Sequence, residues 1–296
     1  MLTRRDIQCL VLGAIGIAIV GIVGSSVWLG ASTWLVAGTG ALGLLAVQLV
    51  VFRRMQAALK AAAKQLRDDV QRTERQLEAA TSLYVALQPS LPLPPFGGWP
   101  VTSEVGRLLV ATVLERQPRL IVECGSGLST LLCAYALRKI GRGRIVSLDH
   151  DRQFAEQTRV LLAAHDLTEW AEVVYAPLVP AEIGGAIWQW YDIASLKDVD
   201  GIDVLIVDGP PGNVQAQSRY PAVPLLRDRL ALDAIIVLDD ADRKDERAIV
   251  QRWLQDVAGF QVVGETASRR GIVLQRRGVP AASSGASTAM AGVSAA

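Results

Sequence analysis

The sequence predicts an α/β fold: a doubly wound, Rossmann-like parallel sheet of seven strands that ends in an antiparallel hairpin. A two-helix transmembrane hairpin and a helical stalk precede it. Three observations carry this. Residues 1–52 hold two long uncharged apolar stretches, and residues 55–87 keep a heptad spacing without Gly or Pro. From residue 120, short apolar strands ending in acids alternate with helical patterns. Apolar strands separated by helices imply a parallel sheet covered on both faces.

The N-terminal elements come first. Ile7–Leu29 and Thr33–Phe52 carry no charged residue, and each matches the roughly 20 residues that cross a bilayer as a helix. Gly30-Ala31-Ser32 between them predicts a tight hairpin over residues 1–54. Arg4 and Arg5 precede the first span; Arg53, Arg54, Lys60 and Lys64 follow the second. Both ends then belong on the cytoplasmic side, as does everything that follows. A cleaved signal peptide containing Thr3-Arg4-Arg5 is the alternative, disfavoured by the second span and the basic residues after it. The chain-wide apolar content of 51% is explained by these spans, and the net charge of +1 argues against a nucleic-acid partner. Three cysteines at 9, 124 and 133 show no disulfide or zinc spacing.

Residues 55–88 read as the stalk. Leu59, Ala63, Leu66, Val70, Thr73, Leu77, Ala80, Tyr84 and Leu87 alternate in steps of four and three, the seam of a coiled coil and hence of a homodimer. One amphipathic helix packed back on its own domain fits the same spacing. Residues 89–100, with five prolines and two glycines, read as a semi-rigid linker. Residues 101–277 form the α/β domain. Its strands are Leu120–Glu123, Arg144–Asp149, Ala171–Tyr175, Val204–Asp208 and Ala234–Asp239, then the hairpin Phe260–Gly264 and Ile272–Gln275. Helices fall around Thr130–Lys139, Arg152–His165, Pro221–Leu230 and Arg243–Val257. The Ala, Ser and Gly of residues 278–296 predict a disordered tail.

The first strand runs into Glu123-Cys124-Gly125-Ser126-Gly127, a turn that lets a ligand approach the backbone at the start of a helix. Thr130 stands where a dinucleotide fingerprint has its third glycine. Ligands of doubly wound sheets lie beyond the strands' carboxyl ends, here marked by Glu123, Asp149, Asp208, Asp239 and Asp240. Asp149 suits a bidentate hydrogen bond to ribose hydroxyls, with Asp151 left to cap the next helix.

With these residues placed, the domain resembles the class I S-adenosylmethionine-dependent methyltransferases over residues 119–276. The seven strands with a terminal hairpin and Glu123-x-Gly125-x-Gly127 carry the resemblance. It implies that Gly125 and Gly127 line the methionine part of the donor, that Asp149 holds the ribose, and that Glu123 and Ser126 belong to the same donor site. His150 would lie beside adenine, with Ala176-Pro177-Leu178 closing that pocket and Asp208 facing the reacting centre.

Adjacent strands bring Asp208 close to Asp239 and Asp240. Carboxylates that close repel unless protonated or bridged by a cation, and Mg²⁺ or another hard divalent ion favours such ligands. The arrangement resembles metal-dependent O-methyltransferases of the catechol type and of sugar and antibiotic tailoring. That resemblance implies a metal held by Asp208, Asp239 and Asp240, with Asp208 catalytic. Pairing with Arg219, Arg243 or Lys244, or helix capping, is the bland reading of the same acids. Pro210-Pro211-Gly212-Asn213 stands where the catechol-type enzymes place a lysine base, so that base is not carried over. Trp188, Trp190 and Tyr191 fit an acceptor floor or ordinary core, Phe96-Gly97-Gly98-Trp99 a lid, and Arg219 a clamp on an anionic acceptor.

The expectation is therefore a membrane-anchored O-methyltransferase acting on a membrane-proximal small molecule or glycan. A metal-independent N- or carboxyl methyltransferase and a non-catalytic membrane scaffold are the alternatives.

Overall fold

The computed structural model describes residues 32–97, 100–197, 199–257 and 259–276, together with Gly13 and Gly16. Two compact units divide the chain, Met1–Thr73 and Glu74–Ala296. Apart from Gly13 and Gly16, the first predicted span, Ile7–Leu29, lies outside the described residues, as does the predicted tail.

Helix α1 (Ser32–Leu87) is unbroken where the sequence predicted a second span followed by a distinct stalk. No proline falls between Ser32 and Leu87, and isolated glycines do not end a helix. Among the described residues there is thus one helix long and apolar enough to cross a membrane, not a hairpin of two. Its most apolar window has a mean hydropathy of 1.4 and holds no buried residue. Leu42, Leu45, Leu49 and Phe52 all face outward there.

In the second unit, the last turns of α1 pack on the α/β domain through Ala79, Leu83 and Leu87. Ser103 Oγ donates to the Gln76 carbonyl at 2.8 Å, and Arg75 pairs with Glu104 at 3.4 Å. Of the heptad seam, Leu77 and Tyr84 in this unit are exposed, as are Leu59, Leu66 and Val70 in the first unit. The predicted linker is pinned to the domain, with Leu93 buried and Phe96 packed on the core. Ser90 N donates to Tyr135 Oη at 3.2 Å.

Helix α2 (Ser103–Arg116) begins at Thr102, whose hydroxyl accepts from Val105 N. The chain then alternates as β1 (Leu120–Cys124), α3 (Leu128–Ile140), β2 (Arg144–Asp149), α4 (Arg152–Ala164) and β3 (Ala171–Tyr175). A hairpin, β4 (Leu178–Ile183) and β5 (Ala186–Tyr191), follows in place of a helix. After it come β6 (Ile202–Val207), α5 (Ala222–Leu226), β7 (Leu230–Leu238), α6 (Lys244–Asp256), β8 (Phe260–Glu265) and β9 (Ile272–Arg276). The seven-stranded sheet has the order β3-β2-β1-β6-β7-β9-β8, parallel as far as β7, with β9 antiparallel to both β7 and β8. The predicted terminal hairpin is present.

Alternate residues of each strand feed the two faces. Ile121, Ile145, Val204, Ile206 and Val237 pack under α2 and α3, while Val122, Val146, Leu205, Ile236 and Leu238 pack against the hairpin and α6. From β1 the chain winds outward through β2 and β3, then returns to β6 on β1's other side. That reversal puts the crevice for a ligand between the carboxyl ends of β1 and β6.

Candidate functional site

At the reversal the turn after β1 presses on the turn after β6. Asp208 N donates to the Cys124 carbonyl at 2.9 Å, and Gly125 N to the Leu148 carbonyl at 2.8 Å. Gly125 has φ +100°, and a Cβ there would lie 3.3 Å from the Asp208 carbonyl carbon and from Gly209 N. Only glycine takes that conformation in that gap without strain.

Behind the turn, Glu123 organises rather than lines the crevice. It is fully buried, and its Oε2 accepts from Thr130 Oγ1 and Ser147 Oγ, each at 2.5 Å. Thr130 Oγ1 in turn accepts from Gly127 N at 3.0 Å. A chain of hydrogen bonds thus fixes the start of α3. Burial pushes the Glu123 carboxyl up to about 7 against the lowering effect of the Ser129, Ser147 and Thr130 hydroxyls, with Asp149 adding to the rise.

Asp149 closes β2 and reaches across to the turn. Its Oδ2 accepts from Ser126 N at 3.1 Å and from Ser126 Oγ at 2.6 Å; its Oδ1 accepts from Asp151 N at 2.9 Å. Asp151 caps α4 by accepting from Gln153 N and Phe154 N, the capping role expected from the sequence.

A cavity of about 890 Å³ opens over these residues. Gly125, Ser126, Gly127, Asp149 and His150 line one end; Asp208, Asp239, Asp240 and Arg219 line the other. Of the predicted donor-site residues, Glu123 and Ala176 are fully buried and stand outside its walls. Pro94 and Pro100 of the predicted linker form part of the wall, which the sequence did not suggest. In the lid motif, Gly98 and Trp99 lie outside the described residues.

Ligand oxygens of Asp208, Asp239 and Asp240 lie within 4.8 Å of one another. Asp240 has φ +57°, a left-handed conformation that Asp tolerates better than most residues. Its Oδ2 takes Arg219 at 3.0 Å and Arg243 at 2.9 Å, and its Oδ1 takes Arg270. The buried Arg219 also reaches Asp208 Oδ1 at 3.2 Å, the Asp239 carbonyl at 2.8 Å and Glu246 at 3.9 Å. Burial, and next the charge of Asp239, hold the Asp208 carboxyl well above the usual range, with Arg219 opposing. Burial and then Asp240 push Asp239 up to about 6. Arg270 was missed in the sequence because it stands in the β8–β9 connection, far from every motif.

Residues 122–241 match a family model described as a methyltransferase domain. Similar solved structures include a methyltransferase from Geobacter sulfurreducens, 18% identical over 68% of this chain and 88% of that one, with a TM-score of 0.45. Another is the O-methyltransferase TomG from Streptomyces achromogenes, involved in tomaymycin synthesis and solved with S-adenosylmethionine, 20% identical over 68% and 89%, TM-score 0.45. A third is an O-methyltransferase from Bacillus cereus in complex with S-adenosylhomocysteine, 16% identical over 68% and 90%, TM-score 0.44. No curated protein matches the sequence. What residues 122–241 share with known proteins is thus the pattern of a methyltransferase domain.

Proposed function

We propose that this protein is a membrane-anchored S-adenosylmethionine-dependent methyltransferase that methylates an oxygen of a membrane-proximal small molecule or glycan with the help of a divalent cation. The observation that carries the reading is the single cavity that joins the glycine turn and Asp149 to the acidic cluster, with Asp208 on its wall. A donor bound at the first end would present its methyl group toward the second. The acceptor oxygen attacks the methyl carbon, the O–C bond forms as the S–C bond breaks, and the electron pair stays on sulfur. The hydroxyl proton must leave as this happens.

Two ways of handling that proton fit the cluster. Asp208 and Asp239, each raised by burial beside the other, are carboxylates whose ionisation a cation would favour. Bound there, a divalent ion would lower the acceptor's pKa. The second reading rests on Asp240, whose oxygens already meet three guanidiniums. In it the arginines supply the neutralising charge and Asp208, with its raised proton affinity, takes the proton.

The exposed apolar helix supports the anchor. Arg53, Arg54, Lys60 and Lys64, which follow the apolar stretch of that helix, support a cytoplasmic domain. The exposed seam of α1 supports a homodimer.

Calorimetry with S-adenosylmethionine and with NAD, in Mg²⁺ and in chelator, tests the core of this reading. Binding of S-adenosylmethionine alone is expected, and its absence overturns the assignment. Labelled methyl transfer into membrane extracts should stop with chelator and with Asp239→Ala. If it persists in both, the cation is not used and the arginine reading stands.

A further inference from the structure

The hairpin β4–β5 brings one side chain into the crevice that the function so far leaves unused. Tyr191, the last residue of β5, is buried at 2% exposure, lines the cavity, and has no hydrogen-bond partner for its hydroxyl among the described residues. Its ring is locked edge-on against Trp190, with centroids 5.1 Å apart, and against His150 at 6.0 Å. The phenolic oxygen lies against Gly209, where an added Cβ would strike it. That Cβ position is 3.3 Å from the Cys124 carbonyl oxygen and 3.4 Å from Gly125 Cα. The hydroxyl therefore sits at Gly209 beside the glycine turn that follows β1.

We propose that the Tyr191 hydroxyl is a hydrogen-bonding contact for the adenosyl half of the methyl donor, a proposal that rests on the S-adenosylmethionine reading above. A buried hydroxyl without a partner costs about 1–3 kcal/mol, which a polar atom of an entering ligand recovers. The neighbours of the phenol decide which ligand. His150 follows Asp149 at the end of β2, Gly125 belongs to the glycine turn, and both face the donor. Burial, together with Cys124, Asp149 and Asp208, keeps the phenol protonated, so it offers both a donor and an acceptor. Gly209 is glycine because the phenol needs its space.

Tyr191→Phe in the full chain tests this, since the ring and its packing stay. The free protein should melt at the same temperature or higher, because an unpaired hydroxyl has been removed. Dissociation constants for S-adenosylmethionine and S-adenosylhomocysteine should both rise by about 5- to 10-fold, the worth of one recovered hydrogen bond. The acceptor KM should stay constant. A donor dissociation constant within about twofold of the parent's overturns the proposal, as does a raised acceptor KM with unchanged donor binding. A lowered melting temperature of the free protein with unchanged donor binding marks the hydroxyl as structural and overturns it too. Should the parent itself fail to bind S-adenosylmethionine, it is the functional assignment that falls.

Discussion

Glu123 is a carboxyl that burial keeps protonated up to near-neutral pH. The folded protein holds its proton up to about pH 7, whereas the unfolded chain releases it near the ordinary 4.5. The native state therefore binds more protons between those values, so stability falls as pH rises through that window. Below about 4.5 the contribution is complete; above about 7 it is gone. The displacement corresponds to about 3 kcal/mol for a wholly buried group. Glu123→Gln keeps an oxygen for Thr130 and Ser147 and should flatten that decline, measured as denaturation midpoints from pH 5 to 8. An unchanged slope would count against a protonated Glu123. Gly125→Ala at φ +100° should cost about 1–3 kcal/mol and remove donor binding by calorimetry. The sequence marked both residues as ligand contacts, and only Gly125 lines the cavity. Residue type and spacing reveal that an acid ends a strand; they do not reveal which face it takes. Thr130 carried a faint signal, a hydroxyl three residues after a glycine at a helix start, but it was noticed only as a missing glycine.

Among the elements, the ends of β6 and β7 are fastened to α6 by one side chain. Arg219 touches Asp208, the Asp239 carbonyl, Asp240 and Glu246. Arg219→Ala should destabilise by about 3–5 kcal/mol, because it strands buried carboxylates without their counter-charge. Mg²⁺ should then raise the melting temperature of the variant more than that of the parent, since a cation can occupy the vacated partners' field. Equal responses to Mg²⁺ would argue that the acids offer no cation site. The parallel strands were legible because each is a short apolar run closed by an acid. The β4–β5 hairpin was not read, though its signal was present. Gly184-Gly185 have φ of +58° and +79° and join Ile183 to Ala186 in a two-residue turn, the geometry that Gly-Gly supplies. Its strands were obscured by Pro180 and by the tryptophans, which fit core and ligand floor equally well.

For the whole molecule, what stays unpartnered on α1 decides the assembly. The domain takes Ala79, Leu83 and Leu87, so the predicted seam loses only its last position and keeps Leu59, Leu66, Val70 and Leu77 exposed. Two copies anchored in one membrane with the same orientation run their helices in the same direction, which is what a parallel coiled coil needs. Alanines at 63 and 80 and Thr73 thin the seam, so its leucines should carry most of the association. Each leucine removed from water contributes about 1.5–3 kcal/mol. Leu66→Glu with Leu77→Glu withdraws two of them from each helix and sets like charges opposite one another. The parent in detergent should scatter light as a dimer and the double variant as a monomer. Donor binding should be equal in both, because neither residue lines the cavity. A parent that is monomeric, or a double variant that remains dimeric, would place the contact elsewhere and leave α1 as an anchor alone.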